Sequence, residues 1–223
     1  MASLRWRRVL PASVLSMTGY GMYVYGASTF IAPVSDQAPD LPLSTIPYAF
    51  ALRSTIFAVF NLSFGASMLQ RVPPWRSAVV ACTLIILGCA CAGGSVALSS
   101  PTPGLPELGQ PLIFASFVIC GIASAVFYLP VYTPCLAWFP DRKGIVAGCI
   151  GVGQAVGGMT WNATGPLISQ HLAASTVFVL YGVLVAACWS AGLLIQWPPS
   201  GQTGPPPAHH GADGPDWLRT LML

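Results

Sequence analysis

Arg53 is a guanidinium near the start of a long apolar run, in a chain where only 7% of residues are charged and 54% are hydrophobic. The same run carries Asn61, and other apolar runs carry a few hydrogen-bonding side chains: Tyr25, Tyr128, Tyr132 and Gln154, with Tyr20 and Tyr23 just before the first of these. A fixed positive charge with hydroxyl and amide donors, and no carboxylate inside any apolar run, suits the holding of a small anion. It does not suit covalent catalysis. Ser124 offers a hydroxyl, but the last apolar run has no histidine to activate it, so no enzyme is expected. Metal and cofactor chemistry are not expected either. The seven cysteines lie in apolar stretches with no C-x-x-C spacing and read as small buried residues, and His209 and His210 are adjacent, a poor ligand geometry. For Arg53 itself two readings stand. A charge at the bilayer centre costs ~2.5–3.5 kcal/mol on insertion scales, so it either snorkels to the headgroups or lines a watery pathway.

The elements that must position these residues are membrane spans. A soluble domain carries about 25% charged residues, and the mean hydropathy here is +0.68. Six apolar windows, 9–33, 47–70, 77–98, 111–138, 144–168 and 175–197, are each near the ~20 residues that cross ~30 Å of hydrocarbon. Backbone amides in lipid must pair internally, so the spacing predicts six transmembrane helices and an all-α membrane protein. The first run is too long for a signal peptide and lacks a clear A-x-A site, so it reads as a retained span. With the N-terminus cytoplasmic, Arg5, Arg7, Arg8, Arg71, Arg76, Arg142, Lys143 and Arg219 all fall inside, while the outer loops hold Asp36, Asp40 and Glu107. The basic residues therefore predict both ends in the cytoplasm. Residues 1–8 form a short tail, 9–197 the bundle, and 198–223 a Pro- and Gly-rich tail expected to be disordered. The plasma membrane is the expected location. A net charge of +3 suggests no nucleic-acid partner.

Helices associate in lipid where small residues let backbones approach. Gly144, Gly148, Gly151, Ala155 and Gly158 recur at steps of four and three in the fifth window, predicting a packing seam; Gly153 and Gly157 add a second step. This helix is expected to be central in the bundle. Tyr128 and Tyr132, at i and i+4, share one face. Asn61-Leu62-Ser63 and Asn162-Ala163-Thr164 match a glycosylation pattern but lie within spans, out of reach of the modifying enzyme.

The turn between the fourth and fifth windows reads Trp138-Phe139-Pro140-Asp141-Arg142-Lys143-Gly144-Ile145-Val146-Ala147-Gly148. This W-F-P-D-R-K-G-x-x-x-G run resembles the signature of the oxalate/formate antiporter and monocarboxylate transporter branch of the major facilitator superfamily. Tyr128, ten residues before Trp138, falls where that branch often has a substrate-facing tyrosine, and Tyr25, Phe30 and Pro33 are similar to its opening helix. The resemblance covers residues 5–197 and implies one six-helix half of a major facilitator fold. It implies transport of a small carboxylate by alternating access, and a cytoplasmic gate at Asp141 and Arg142, with Arg71 at the neighbouring turn. Physically, Pro140 ends one helix and Asp141 is placed to cap the next and to suit its dipole. Two departures matter. Gln70 stands where the superfamily's second-to-third loop has an acidic residue, and only one six-span half is present, whereas the basic residues that hold carboxylate in relatives lie largely in the other. The ending Gly214-Pro215-Asp216-Trp217-Leu218-Arg219 resembles the approach to a seventh span, as expected of a truncated gene product.

The functional expectation is a carrier of small organic anions that uses Tyr25, Arg53, Asn61, Tyr128, Tyr132 and Gln154. The alternative is a half-size chain without transport activity of its own, partnering a second six-helix half or a second copy of itself. Six spans are also the count of rhomboid-type proteases, which the missing histidine excludes; an aquaporin-like channel would need two Asn-Pro-Ala loops, and there are none.

Overall fold

A computed structural model of the chain describes residues 5–99 and 106–198. The expected disordered tail after Pro198 lies outside the described residues, as do residues 100–105 of the loop 99–110. The fold is all helical: a π-helical turn at Arg5–Val9, α1 (Leu10–Tyr25), a 3-10 turn (Ala27–Phe30), α2 (Ile31–Gln37), α3 (Thr45–Arg71), α4 (Pro74–Leu98), α5 (Pro106–Ala137), α6 (Lys143–Ser169), α7 (Ala174–Trp189) and a closing 3-10 turn (Ser190–Leu194). Five helical stretches among the described residues are long and apolar enough to cross a bilayer. They fall within a few residues of five of the expected windows. Proline punctuates the entrances, with Pro73 as N-cap and Pro74 opening α4; a helix's first N–H groups have no partner in any case.

The first expected span differs. It is not one helix but two, broken after Tyr25 at Gly26. Sixteen residues of α1 rise only ~24 Å at ~1.5 Å each, short of the ~30 Å of hydrocarbon, and α1 is not among the five helices long enough to cross. The break carries Phe30 into the middle of the bundle, fully buried, with its ring 4.2 Å from Phe178 and 5.1 Å from Tyr181 by centroid. Trp161 and Phe50 close the cluster.

α4 packs on α5 and α7, α3 on α5, and α1 on α6 and α7. The α1–α6 interface is glycine on backbone from both sides. A Cβ placed on Gly153 would lie 2.8 Å from the Val14 carbonyl oxygen, one on Gly157 would collide with the Thr18 carbonyl, and one on Gly21 with the backbone of Gln154. This corrects the expected seam. Gly144, Gly148 and Gly151 are exposed, with no neighbour within 4 Å of an added Cβ, and only Gly158 of that set is packed, beneath the Tyr25 ring. Nor is α6 central. Its main contact is α1, and with α3 it is among the least covered of the spanning helices.

The W-F-P-D run has a structural meaning at one end of the bundle. Trp138 Nε1 donates to the Gln196 carbonyl at 2.7 Å, tying the α5–α6 turn to the chain beyond α7. Phe139 is fully buried and meets the Trp6 ring edge-on at 4.8 Å. The N-cap position of α6 falls on Arg142, one residue after Asp141, and the Arg142 side chain makes no cap hydrogen bond. At the opposite end Gln37 Oε1 accepts from the Ser175 amide at 3.1 Å and so caps α7.

Candidate functional site

Arg53 sits in the third turn of α3 on the side facing α1. Only 5% of it is exposed, so the snorkelling alternative fails: the guanidinium turns inward, not to a membrane surface. Nη1 donates to the Tyr23 carbonyl at 2.7 Å and Nη2 to Ser54 Oγ at 3.3 Å. The rings of Tyr23 and Phe50 lie 4.5 and 4.8 Å from its central carbon, a cation–π setting. No carboxylate is among these partners. The position is reached because α3 and α5 touch closely at Gly121, where a Cβ would stand 2.8 Å from the Arg53 carbonyl oxygen. Bulkier residues there would push the cation out of register.

Beside the guanidinium is a cavity of about 160 Å³ lined by Tyr20, Tyr23, Val24, Arg53, Ser54, Phe57 and Ser124. It holds one cation and several hydroxyls. Tyr20 and Tyr23 are three residues apart on α1 and share a face, whereas Tyr25 is turned ~200° from Tyr23 at ~100° per residue. That difference decides which tyrosines reach Arg53. Tyr25, singled out from the sequence, is 55% exposed and rests on Gly158; Tyr20 and Tyr23 line the cavity in its place.

An aromatic path leads from the cavity. Tyr20 meets Tyr128 at 4.9 Å and Phe57 at 6.2 Å, and Tyr128 stacks on Tyr132 at 5.4 Å and 9°, the shared face expected of their spacing. Gln154 Nε2 approaches Met17 Sδ at 3.7 Å across the α1–α6 interface. Tyr128 and Tyr132 therefore stand next to the Arg53 cavity, with Gln154 at that neighbouring interface. Asn61 does not join them: its Nδ2 donates to the Phe57 carbonyl of its own helix at 2.9 Å. At the expected gate, Arg142 and Asp141 approach each other at 3.8 Å, both exposed. Arg71 lies at the end of α3 beside Phe60, Phe64 and Met68, and among the described residues it forms no ion pair.

The Tyr23 hydroxyl is buried without a hydrogen-bond partner among the described residues. An unpaired buried hydroxyl costs ~1–3 kcal/mol. Tyr23→Phe is therefore expected to leave the unfolding midpoint unchanged or to raise it, as followed by heating in detergent. A clear drop would mean that the hydroxyl has a partner.

Fold and site together define a multi-pass helical membrane protein with a buried cation, unmatched by any carboxylate in its surroundings, beside a small, mainly apolar cavity. Over 84 residues the chain is 31% identical to the MFS-type transporter opdF of Penicillium oxalicum, a match covering 38% of this chain and 19% of that protein. The chain thus aligns with about a fifth of that relative's length. No family profile and no solved structure matches. The similarity supports distant kinship with MFS-type transporters, and the helical architecture agrees with part of such a fold.

Proposed function

We propose that this chain is the N-terminal-type half of a carrier that moves small organic anions, of monocarboxylate or oxalate/formate type, across a bilayer by alternating access. The observation that carries the reading is the buried Arg53 guanidinium, which borders a 160 Å³ cavity with no carboxylate in its lining. A charge in that setting is stabilised by an arriving anion far more than it would be in water. The cavity's volume suits an anion of a few carbons. In this reading Tyr128, Tyr132 and Gln154 extend the route, while Tyr25, outside the cavity against Gly158, and Asn61, further along α3, would be reached only later on it. The W-F-P-D-R-K-G run and the likeness to opdF point the same way. Both termini face the cytoplasm in this reading, because basic residues crowd one end of the bundle, and the plasma membrane is the location; the Asp141–Arg142 turn and Arg71 belong to the cytoplasmic gate.

A second reading is favoured by the exposure of Tyr25 and by the poor coverage of α3 and α6. A hydroxyl at bilayer depth is better placed against protein than against lipid. This chain then acts with a second six-helix bundle, a copy of itself or a separate one, and is inactive or regulatory alone. Uptake of labelled lactate, formate and oxalate into proteoliposomes, against empty vesicles, tests the first reading. Uptake of at least one anion above the control is the expected result. No uptake of any of them by folded chain overturns transport by this polypeptide alone, and crosslinking in the same vesicles then reports on dimers.

A further inference from the structure

The break in the first span leaves a chemical problem at bilayer depth. The last carbonyls of a helix have no amide of their own helix to accept from, and there is no bulk water inside a bilayer to supply donors. Around Gly26 two of them are met by side chains from other helices and a third by Thr29 of the adjoining turn, itself held from α6. The Met22 carbonyl accepts from Tyr181 Oη of α7 at 2.9 Å, and the Tyr23 carbonyl from Arg53 Nη1 of α3 at 2.7 Å. The Gly26 carbonyl accepts from Thr29 Oγ1 at 2.7 Å, and that oxygen accepts from Trp161 Nε1 of α6 at 2.8 Å. Gly26 itself has ordinary backbone angles, φ −82° and ψ 2°. It is glycine for want of room: a Cβ would come within 2.7 Å of Trp161 Cδ1 and 3.0 Å of Tyr181 Oη. The break is held shut by its surroundings.

Two of the three outside donors, Tyr181 and Trp161, are neutral and buried in the ring cluster around Phe30. Arg53 differs, being charged and a wall of the cavity. A carboxylate adds an opposite charge and can take two parallel N–H···O bonds from a guanidinium, whereas the Tyr23 carbonyl takes one, from Nη1. An anion that engages the Nη1 edge from the cavity competes with that carbonyl for it.

We propose that Arg53 alternates between two partners, capping the Tyr23 carbonyl when the cavity is empty and binding the anion when it is filled, so that occupancy releases the break at Gly26 as a hinge. The proposal rests on the anion-binding reading above and adds the coupling to it. The neutral caps, Tyr181 on the Met22 carbonyl and Thr29 on the Gly26 carbonyl, stay in place throughout, with Trp161 holding the Thr29 hydroxyl, so the release is confined to the carbonyl of Tyr23. The hinge then lets α2 change its angle to α1 while the α1–α6 interface stays closed.

Hydrogen exchange across residues 20–31 of the full chain in lipid nanodiscs tests this, with calorimetric titration of oxalate and of formate on the same sample. Oxalate or formate is expected to speed exchange at Gly26–Phe30 about tenfold, the order expected for loss of one such hydrogen bond; chloride at equal ionic strength is expected to leave it unchanged. Arg53→Gln should exchange fast without any anion and show no response. Tyr181→Phe, which loosens the break but spares Arg53, should exchange faster at rest and still respond to the anion. If calorimetry registers binding while exchange at Gly26–Phe30 stays as slow as in the empty protein, the coupling is overturned and anion binding stands. If neither anion binds the wild-type chain, the anion reading falls and the coupling falls with it.

Discussion

Gly157→Leu is expected to separate α6 from α1 and to leave a chain that no longer elutes as a single folded species in detergent. Even one carbon at this position collides with the Thr18 carbonyl, and the next turn is as tight, with Gly153 against Val14. The obstacle is backbone, which cannot swing aside as a side chain can. Overpacking of a core by methylenes costs ~1–3 kcal/mol when neighbours can adjust; here they cannot, and the loss should reach at least ~3 kcal/mol, or roughly 10 °C of unfolding midpoint at ~2–4 °C per kcal/mol. α1 is by far the main contact of α6, and beyond it the Trp161 ring cluster is what ties α6 to the bundle. Gly148→Leu is the control. It lies on the same helix but has nothing within 4 Å, and its midpoint should stay within about 0.5 kcal/mol of wild type. Equal midpoints for the two variants, followed by heating with circular dichroism, would show that close approach at Gly157 is not what joins these helices.

That contrast also marks how far the residues alone could be read. Span positions were legible because bilayer thickness and the need to pair every amide are physical constants, and an apolar run of the right length has few other uses. Glycine spacing was less informative. Both Gly144–Gly148–Gly151 and Gly153–Gly157 repeat at helical steps, and nothing in their spacing says which row faces Val14 and Thr18. The break at Gly26 was hidden because Ala27, Ser28 and Thr29 are small enough not to disturb hydropathy. Their run of small and hydroxyl residues after a glycine was nonetheless a turn signal.

The site was legible by residue type more than by place. Arg53 was marked by its charge in an apolar run, and Tyr128 with Tyr132 by spacing on one face. The direction of Arg53 was not deducible, because depth permitted snorkelling as readily as burial; what decides it is the Tyr23 carbonyl, and that acceptor exists only because α1 is interrupted. Tyr20 and Tyr23 displaced Tyr25 for a reason that helical geometry contains: two positions three apart point one way, and a third position two further on points nearly the other way. Asn61 was misplaced for a similar reason, as its amide has an acceptor on its own helix.

Arg53→Met is expected to reduce anion uptake at least ~100-fold in proteoliposomes that hold equal amounts of folded protein. The loss removes the only cation among the cavity's lining residues. Hydrogen bonds to a charged group are worth ~1.5–3 kcal/mol each, so two bonds to a carboxylate exceed the ~2.7 kcal/mol that a hundredfold effect requires at ~1.4 kcal/mol per factor of ten. Stability should change much less. The substitution frees the Tyr23 carbonyl, at ~1–3 kcal/mol, but it also removes a charge whose burial is itself costly, and an apolar side chain of similar length can be close to neutral. Arg53→Lys separates charge from shape. An ammonium keeps the attraction but is a compact, strongly hydrated point charge without the planar fork, so uptake should fall by about tenfold and sit between wild type and Arg53→Met. This order, wild type above lysine above methionine, measured as initial rates at an anion concentration below saturation, is what a fixed cationic ligand requires. Uptake by Arg53→Met at the wild-type rate would place the anion's ligand elsewhere in the bundle and leave Arg53 as a helix cap alone.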